Sequence, residues 1–470
     1  MKDDLEAVKI TSSAHDVHDT VAAISTPPGP GGVGMVRIAG PHAMEIGRRI
    51  FTPLGTSPSP PLEPRKACVG HVHDPDLPDK PIDQAVWLCF KGPRSFTGED
   101  TVEITAHGGP LIMGGILQAA TSAGARLAEP GEFTRRAFIN GRIDLSQAEA
   151  VASLIFASTN EARQVMQRQV EGAMGKEAKL LREDLLEIKV ALESAIDFPE
   201  DVEDIEPESL VDPLNLVIER VINLLGTAKE GIAMTEGLKV VLAGAPNVGK
   251  SSLLNALLEE ERAIVHEVAG TTRDFIEGRI NINGIPMTVV DTAGIRNETD
   301  SLEGEGILRT RNLMKGADLL IIVMDCSRAL HPEEQDLLKE TARTRRVIAA
   351  NKSDLSRHPG FEEPEGSIKV SALTGQGIDA LRKAVHDTYT GGGQALTEVA
   401  AVVTSFRQAD ALKKVRDGCS RVLQGLMESC PPELLAVDLE EALQGVGELT
   451  GEVTVEEVLE EIFSRFCIGK

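Results

Sequence analysis

From Thr20 onward, short apolar runs alternate with turn residues: TVAAIS leads into STPPGPGGVG, then MVRIAG, and later AVWLCF and TVEITAH. Runs of this length, rich in Val, Ile and Thr and bounded by Gly and Pro, read as strands. The stretch LIMGGILQAA after Pro110 reads as a helix, so residues 1–138 are expected to form one α/β domain behind a polar extension. Past Asp144 the punctuation stops and helices dominate. Leu181, Leu185, Ile188 and Leu192 recur at intervals of four, three and four, the spacing of one buried helical stripe. The acidic connector DFPEDVEDIEPES from Asp197 reads as a solvated loop, and a further apolar helix covers Leu214 to Leu225. At Leu238 the run LKVVLAG reads as a buried strand and opens an alternation of strands and helices that lasts to about Tyr389, where TGGGQ marks a joint. From Val402 the pattern is helical again, with Val458, Leu459, Ile462, Phe463 and Phe466 at helix spacing up to the terminal CIGK. The expected division is residues 1–138, a helical domain in two parts (139–235 and 391–470), and an α/β domain (236–390) inserted between the two arms.

Composition changes this picture in two ways. A chain of 470 residues with 41% hydrophobic and 26% charged residues is an ordinary globular mixture, long enough for several domains. Its formal net charge of −25 would be repelled by nucleic-acid phosphates, so any role on RNA calls for a basic partner or a local basic patch. Cys68, Cys89, Cys326, Cys419, Cys430 and Cys467 are scattered without a CxxC pair, which argues against a zinc ribbon or a disulfide framework and fits a reducing compartment. The opening MKDDLEAVKI lacks an apolar signal core, and no run of about 18 apolar residues suggests a membrane span. A cytoplasmic location is expected.

The chemistry concentrates in the inserted domain. GAPNVGKS, Gly244 to Ser251, fits GxxxxGK[ST] after a strand and before the helical SLLNALL. Its glycines let backbone N–H groups wrap phosphate oxygens at a helix N-terminus. Lys250 would reach the β and γ phosphates, and Ser251 would ligate Mg²⁺. Three further elements follow in order: Thr272 in GTTRD, suited to close on Mg²⁺ and the γ phosphate; DTAG, with Asp291 as the Walker-B-type acid, then Thr292, Ala293 and Gly294; and NKSD (Asn351, Lys352, Asp354) with SAL (Ser371, Ala372, Leu373). An aspartate in NKxD accepts two hydrogen bonds that guanine supplies and adenine does not. Together these elements imply a Ras-like GTP-hydrolysing domain. Ile295 stands where Ras-type enzymes carry a water-positioning glutamine, so the polarising group must lie elsewhere. Asn247, inside the P-loop, has two readings: turn chemistry, because Asn tolerates left-handed backbone, or a ligand that holds a monovalent cation against the phosphates in place of an arginine finger.

This order of motifs, together with TPPGPGGVGMVRIAG, FTGED with HGGP, PGEFTRRAFINGRIDLSQAEA and the terminal FCIGK, resembles the MnmE (TrmE) tRNA-modification GTPases from about Thr20 to Lys470. The resemblance implies α/β and all-α parts: an N-terminal α/β tetrahydrofolate-binding domain and a helical domain interrupted by a Ras-like P-loop G domain. It further implies a homodimer and a hetero-oligomer with a flavin-dependent partner of the MnmG/GidA family. The implied reaction adds an aminomethyl or carboxymethylaminomethyl group to carbon 5 of the wobble uridine in certain tRNAs, which are bound mainly through the partner. The one-carbon unit comes from 5,10-methylene- or 5-formyl-tetrahydrofolate, and K⁺ supports GTP turnover.

Residue by residue, the nucleotide set is Asn247, Val248, Gly249, Lys250, Ser251, Ser252, the loop His266, Glu267, Val268, Ala269, Gly270 and Thr271, then Thr272 and the DTAG, NKSD and SAL residues. K⁺ falls to Asn247, His266, Val268 and Thr271, and Mg²⁺ to Ser251 and Thr272. His266 stands where the family often has threonine. Glu303 in SLEGEG matches the glutamate that orients attacking water through a bridging water, Arg296 follows Ile295 in the family pattern, and Lys250 completes the GTPase set. Folate falls to Arg37, Glu103, Arg142 and Lys470, a glutamate pairing with the pterin and basic groups neutralising the glutamyl tail. Glu103 shares a strand face with Thr105 and His107, so a plain solvent-facing residue is its alternative. Cys467 is either a functional thiol or a buried small hydrophobe.

Two other functions compete: an Era- or Der-like GTPase that docks on ribosomal RNA, and a folate-dependent methyltransferase acting alone. The appended parts carry no basic RNA-binding module, which disfavours the first. The second leaves the GTP motifs without purpose.

Overall fold

The computed structural model describes residues 19–55, 63–197, 207–259, 277–291, 311–391 and 396–470. The chain divides into two compact units, residues 1–152 with 446–470, and residues 153–445.

The first unit is built on a seven-stranded sheet in the order β3-β4-β5-β6-β2-β1-β7. Its strands are β1 (Val21–Ile24), β2 (Gly31–Ala39), β3 (Phe51–Pro53), β4 (Cys68–His73), β5 (Pro81–Phe90), β6 (Thr101–Gly108) and β7 (Arg126–Leu127). Neighbours run antiparallel except β1 with β7. Alternation sends Val36, Ile38, Trp87, Val102 and Ile104 to one face, where Ile46 and Ile50 of helix Ala43–Ile50 and Met113 and Ile116 of helix Pro110–Ser122 cover them. The odd-numbered partners of that alternation, Arg37 on β2 and Glu103 on β6, stand directly opposite each other in register.

The C-terminal residues belong to this unit. Helix Glu456–Ser464 sets Leu459 and Phe463, with Phe466 beyond its end, against Leu145 and Ala148. Ile468 then forms a bridge with Pro130, and the Phe133 amide donates to the Lys470 carbonyl at 3.2 Å. Gly469 has φ +95°, and a Cβ there would lie 2.3 Å from the Ile24 carbonyl oxygen, so only glycine fits.

The second unit holds a six-stranded sheet in the order β13-β12-β11-β8-β10-β9, comprising β8 (Leu238–Ala243), β9 (Glu277–Ile282), β10 (Ile285–Asp291), β11 (Leu319–Asp325), β12 (Arg346–Asn351) and β13 (Ile368–Lys369). It is parallel apart from the β9–β10 hairpin. Every residue of β11 is buried, as expected for a strand covered on both faces. Asn283 and Gly284, at φ +50° and +92°, close the hairpin in the left-handed conformations that a two-residue turn requires.

Around this sheet lie the helices. The stripe Leu181, Leu185, Ile188 and Leu192 is buried along helix Ala173–Asp197. The helix expected at Leu214 to Leu225 extends over Pro207–Glu236 and carries Pro213 within it. Its last turns are held by the second arm, because Thr227 Oγ1 accepts from the Val403 amide at 2.9 Å and Thr235 Oγ1 donates to the Thr404 carbonyl at 2.8 Å. Gln169 of helix Asn160–Val170 adds a bond from Nε2 to the Val402 carbonyl at 2.8 Å. Thus the segments before and after the inserted sheet meet. Thr159, the N-cap of that same helix, also donates to the Gly284 carbonyl at 2.7 Å, fastening the hairpin to the helical part. Among the described residues, no helix is long and apolar enough to cross a membrane.

Candidate functional site

The loop between β8 and helix Lys250–Glu259 is shaped by three left-handed residues: Gly244 (φ +155°), Asn247 (φ +62°) and Gly249 (φ +96°). A Cβ at Gly244 would sit 2.3 Å from the Val323 carbonyl, and one at Gly249 2.4 Å from Asn351 Nδ2. Both glycines are therefore demanded by close approach as well as by φ. Lys250 is buried and donates from Nζ to the carbonyls of Gly244 at 3.1 Å and Ala245 at 2.9 Å, folding its ammonium back over the loop. Ser251 Oγ donates to Asp291 Oδ2 at 2.5 Å, and Asp291, at the end of β10, is fully buried. A hydroxyl and a carboxylate meeting at the mouth of a helix N-terminus are the oxygen donors that Mg²⁺ takes. Val248 is buried beneath the loop, while Ser252 is exposed on the first helical turn.

The strand ends β11 and β12 and the segment after β13 complete the site. Asn351 Nδ2 donates to the Val248 carbonyl at 2.8 Å, and its Oδ1 accepts from the Ala372 amide at 3.1 Å. One buried side chain thereby ties the phosphate loop to the SAL segment. Ser371 Oγ donates to Asp354 Oδ1 at 2.5 Å, and Asp354 itself is exposed. Lys352, left-handed at φ +64°, donates from Nζ to the Asn247 carbonyl at 3.0 Å and to Asp325 Oδ2 at 2.6 Å. Leu373 is 84% exposed beside this edge, an apolar side chain with no core to fill. Asp325 had no part in the sequence reading. Its only signal is its place at the end of a fully apolar strand, LLIIVMD.

His266, Glu267, Val268, Ala269, Gly270, Thr271, Thr272, Thr292, Ala293, Gly294, Ile295, Arg296 and Glu303 lie outside the described residues. Among the described residues, no cluster of His, Cys, Asp and Glu forms a metal site of its own.

A second concavity opens in the first unit, about 490 Å³ in volume. Arg37, Glu103 and Arg142 are brought together in its wall, with Arg65, Arg94 and Phe96 beside them. Arg37 Nε donates to Glu103 Oε1 at 3.0 Å, its guanidinium stacks 5.5 Å from the Phe133 ring centroid, and Nη1 reaches the Gly469 carbonyl at 3.4 Å. Four arginines against one glutamate make the cavity net cationic, suited to a ligand with carboxylates. Arg65 and Arg94 were not anticipated. They come from separate loops, joined by a bond from Arg65 Nη2 to the Arg94 carbonyl at 3.0 Å.

The loop that carries Phe96 and Thr97 is anchored from behind, where Asn140 Nδ2 donates to the Thr97 carbonyl at 2.7 Å and Arg136 reaches Glu99 at 3.4 Å. Burial pushes the Glu99 carboxyl above its ordinary value, outweighing the opposing pull of Arg136. Lys470 is not among the residues lining the cavity. Cys467 is exposed, on a segment whose carbonyl accepts from Gly131 at 3.5 Å and from Lys470 at 3.3 Å.

Known proteins resemble the chain over nearly its full length. A family model for the MnmE helical domain matches residues 145–467, and one for the GTP-binding protein TrmE N-terminus matches residues 20–142. The tRNA modification GTPase MnmE of Chloroflexus aurantiacus is 42% identical over 459 residues, covering 97% of this chain and 100% of the relative. The protein of the same description from Aquifex aeolicus is 41% identical over 458 residues, with coverages of 97% and 100%. That from Geobacter metallireducens is 42% identical over 460 residues, also with coverages of 97% and 100%.

Proposed function

The chain belongs to the MnmE family of tRNA modification GTPases, and from that membership we propose that it is a potassium-dependent GTPase acting with a flavin-dependent partner of the MnmG/GidA family. The pair adds an aminomethyl or carboxymethylaminomethyl group to carbon 5 of the wobble uridine in certain tRNAs, using a folate one-carbon unit. The observation that carries the GTPase part is the convergence of Lys250, the Ser251–Asp291 pair and the Asn351–Asp354 edge where the parallel strands β8, β10 and β12 end.

The geometry supports a definite division of labour. The amides of the loop Gly244–Lys250 wrap the phosphates, and Lys250 exchanges its two carbonyl partners for the β and γ oxygens, which are stronger, charged acceptors. Ser251 and Thr272, with Asp291 as the acid beside Ser251, would hold Mg²⁺, and the ion would supply positive charge to the phosphates. Asp354 accepts from the guanine edge while Ser371 fixes its other oxygen. Asn247 offers a side-chain oxygen from a left-handed turn, and a K⁺ held there would supply the positive charge that an arginine finger supplies elsewhere. Glu303, with Arg296 nearby in sequence, serves as the water-orienting group, since Ile295 has no polar atom to do so. The G domain spans 236–390, inserted in a helical domain of residues 139–235 and 391–470, and the family's homodimer brings two such domains together.

The cationic cavity of the N-terminal domain, residues 1–138, completed by Arg142 just beyond it, receives the tetrahydrofolate. Glu103 pairs with pterin N–H groups and Arg37 and Arg142 receive its carboxylates, while Lys470, which does not line the cavity, would act only on a glutamyl tail that extends beyond it. Cys467, exposed on the terminal segment, is the thiol available to the modification chemistry. The chain's net charge of −25 leaves tRNA to be held mainly by the partner, in the cytoplasm.

Turnover of GTP at equal ionic strength in K⁺ and in Na⁺ tests the cation reading. The expected result is a rate at least ten-fold higher in K⁺, on the order of the electrostatic contribution of one well-placed charge. Equal rates would remove the role given to Asn247.

A further inference from the structure

Two of the left-handed non-glycine residues in the nucleotide site, Asn247 at φ +62° and Lys352 at φ +64°, are joined by one hydrogen bond, from Lys352 Nζ to the Asn247 carbonyl at 3.0 Å. A residue bearing a Cβ enters this conformation at a cost and stays there only where its surroundings fix it. The group that fixes Lys352 is Asp325, whose Oδ2 lies 2.6 Å from the ammonium. Asp325 is 5% exposed at the end of β11. Its Oδ1 is taken by the amide of Ser327 at 2.9 Å and by the Ser327 hydroxyl at 2.6 Å.

The other cation nearby, Arg328, is engaged elsewhere. Its Nε stands 4.0 Å from Asp325, while Nη1 and Nη2 grip Glu334 at 2.9 and 2.8 Å. Asp325 therefore has one oxygen committed to its own turn and one to Lys352. Burial pushes its carboxyl up, but the Lys352 and Ser327 bonds outweigh burial and hold it below the ordinary carboxylate value, so it is charged at neutral pH.

We propose that Asp325 is a positioning residue of the GTPase: by holding the Lys352 ammonium it locks the Asn247 peptide, and so sets both how long nucleotide stays and how Asn247 meets a monovalent cation. The first half rests on the GTP site itself and the second on the potassium reading above. The residue that ends β11, between β8 and β12 in the sheet, thus acts on the phosphate end through a lysine at the base end.

The test compares the full-length protein with Asp325→Asn, which keeps an oxygen for Ser327 but removes the charge, and with Lys352→Met. Release of a fluorescent GDP analogue should accelerate about ten-fold in Asp325→Asn, the loss expected for one charge-assisted bond. The K⁺ concentration for half-maximal GTP turnover should rise by a similar factor, with the thermal midpoint little changed. The double variant should be no worse than Lys352→Met alone. Wild-type release and an unshifted K⁺ dependence in Asp325→Asn would overturn the proposal, as would additive losses in the double variant. Should Asp325→Asn fail to fold, Lys352→Met, which leaves the β11 turn intact, must itself shift the K⁺ dependence or the proposal fails. A wild-type protein that binds no guanine nucleotide would instead sink the GTPase reading, and one that binds it but ignores K⁺ would sink only the cation reading.

Discussion

With Ser371 donating to Oδ1 of Asp354 at 2.5 Å, the second carboxylate oxygen and the remaining lone pairs are left to accept from a bound base. Guanine brings two N–H donors to that edge. An amide in place of the carboxylate brings a donor of its own and would face one of them. Asp354→Asn is therefore expected to weaken GTP binding by on the order of 100-fold while improving binding of xanthosine triphosphate, whose base offers an oxygen where guanine has its amino group. Competition titration measures both, and an unchanged preference would refute the assignment of Asp354 to the base.

Residues of this kind were legible because their motif is contiguous. Gly244 to Ser251 and Asn351 to Asp354 each state their chemistry within eight residues or fewer. Asp325, Arg65 and Arg94 were not legible, because each acquires its role from a neighbour that only the sheet order supplies. Arg65 and Arg94 lie 29 positions apart, and Asp325 and Lys352 lie 27 apart.

At the scale of elements, the apolar runs located β1, β2, β5, β6 and β8, and periodicity located the buried stripe Leu181–Leu192, since burial on one face leaves a direct trace in spacing. It gave the helix before the inserted domain too short, because the turns after Leu225 find their partners in the second arm rather than in a local repeat. The terminal CIGK is a case where no period exists. Its backbone is held by Pro130, Gly131 and Phe133 and crosses the Ile24 carbonyl at Gly469.

Gly469→Ala must either abandon φ +95° or push its Cβ into that carbonyl. The expected cost is about 1–3 kcal/mol of stability. Because Arg37 reaches the Gly469 carbonyl, weaker binding of 5-formyl-tetrahydrofolate should accompany it. Chemical denaturation and ligand titration check the two, and wild-type values for both would show that the terminus does not brace the cavity.

For the whole molecule, charge and connectivity matter most. A net charge of −25 is legible from composition alone, and it sets the expectation that tRNA is recruited through a basic partner. What composition does not carry is that residues 446–470 fold with residues 1–152, so that Cys467 and the arginine-lined cavity share a unit although they are distant in sequence. That placement puts an exposed thiol and a cationic cavity on the same body, while the GTP site belongs to residues 153–445. In the account proposed here, hydrolysis at one and one-carbon chemistry at the other serve a single product on tRNA. The most direct test is mass spectrometry of the wobble uridines in tRNA from cells lacking this protein, with and without the wild-type chain restored. The carbon 5 aminomethyl-type modification is expected to disappear in those cells and to return with the wild-type chain. Full modification in the cells that lack it would contradict the account.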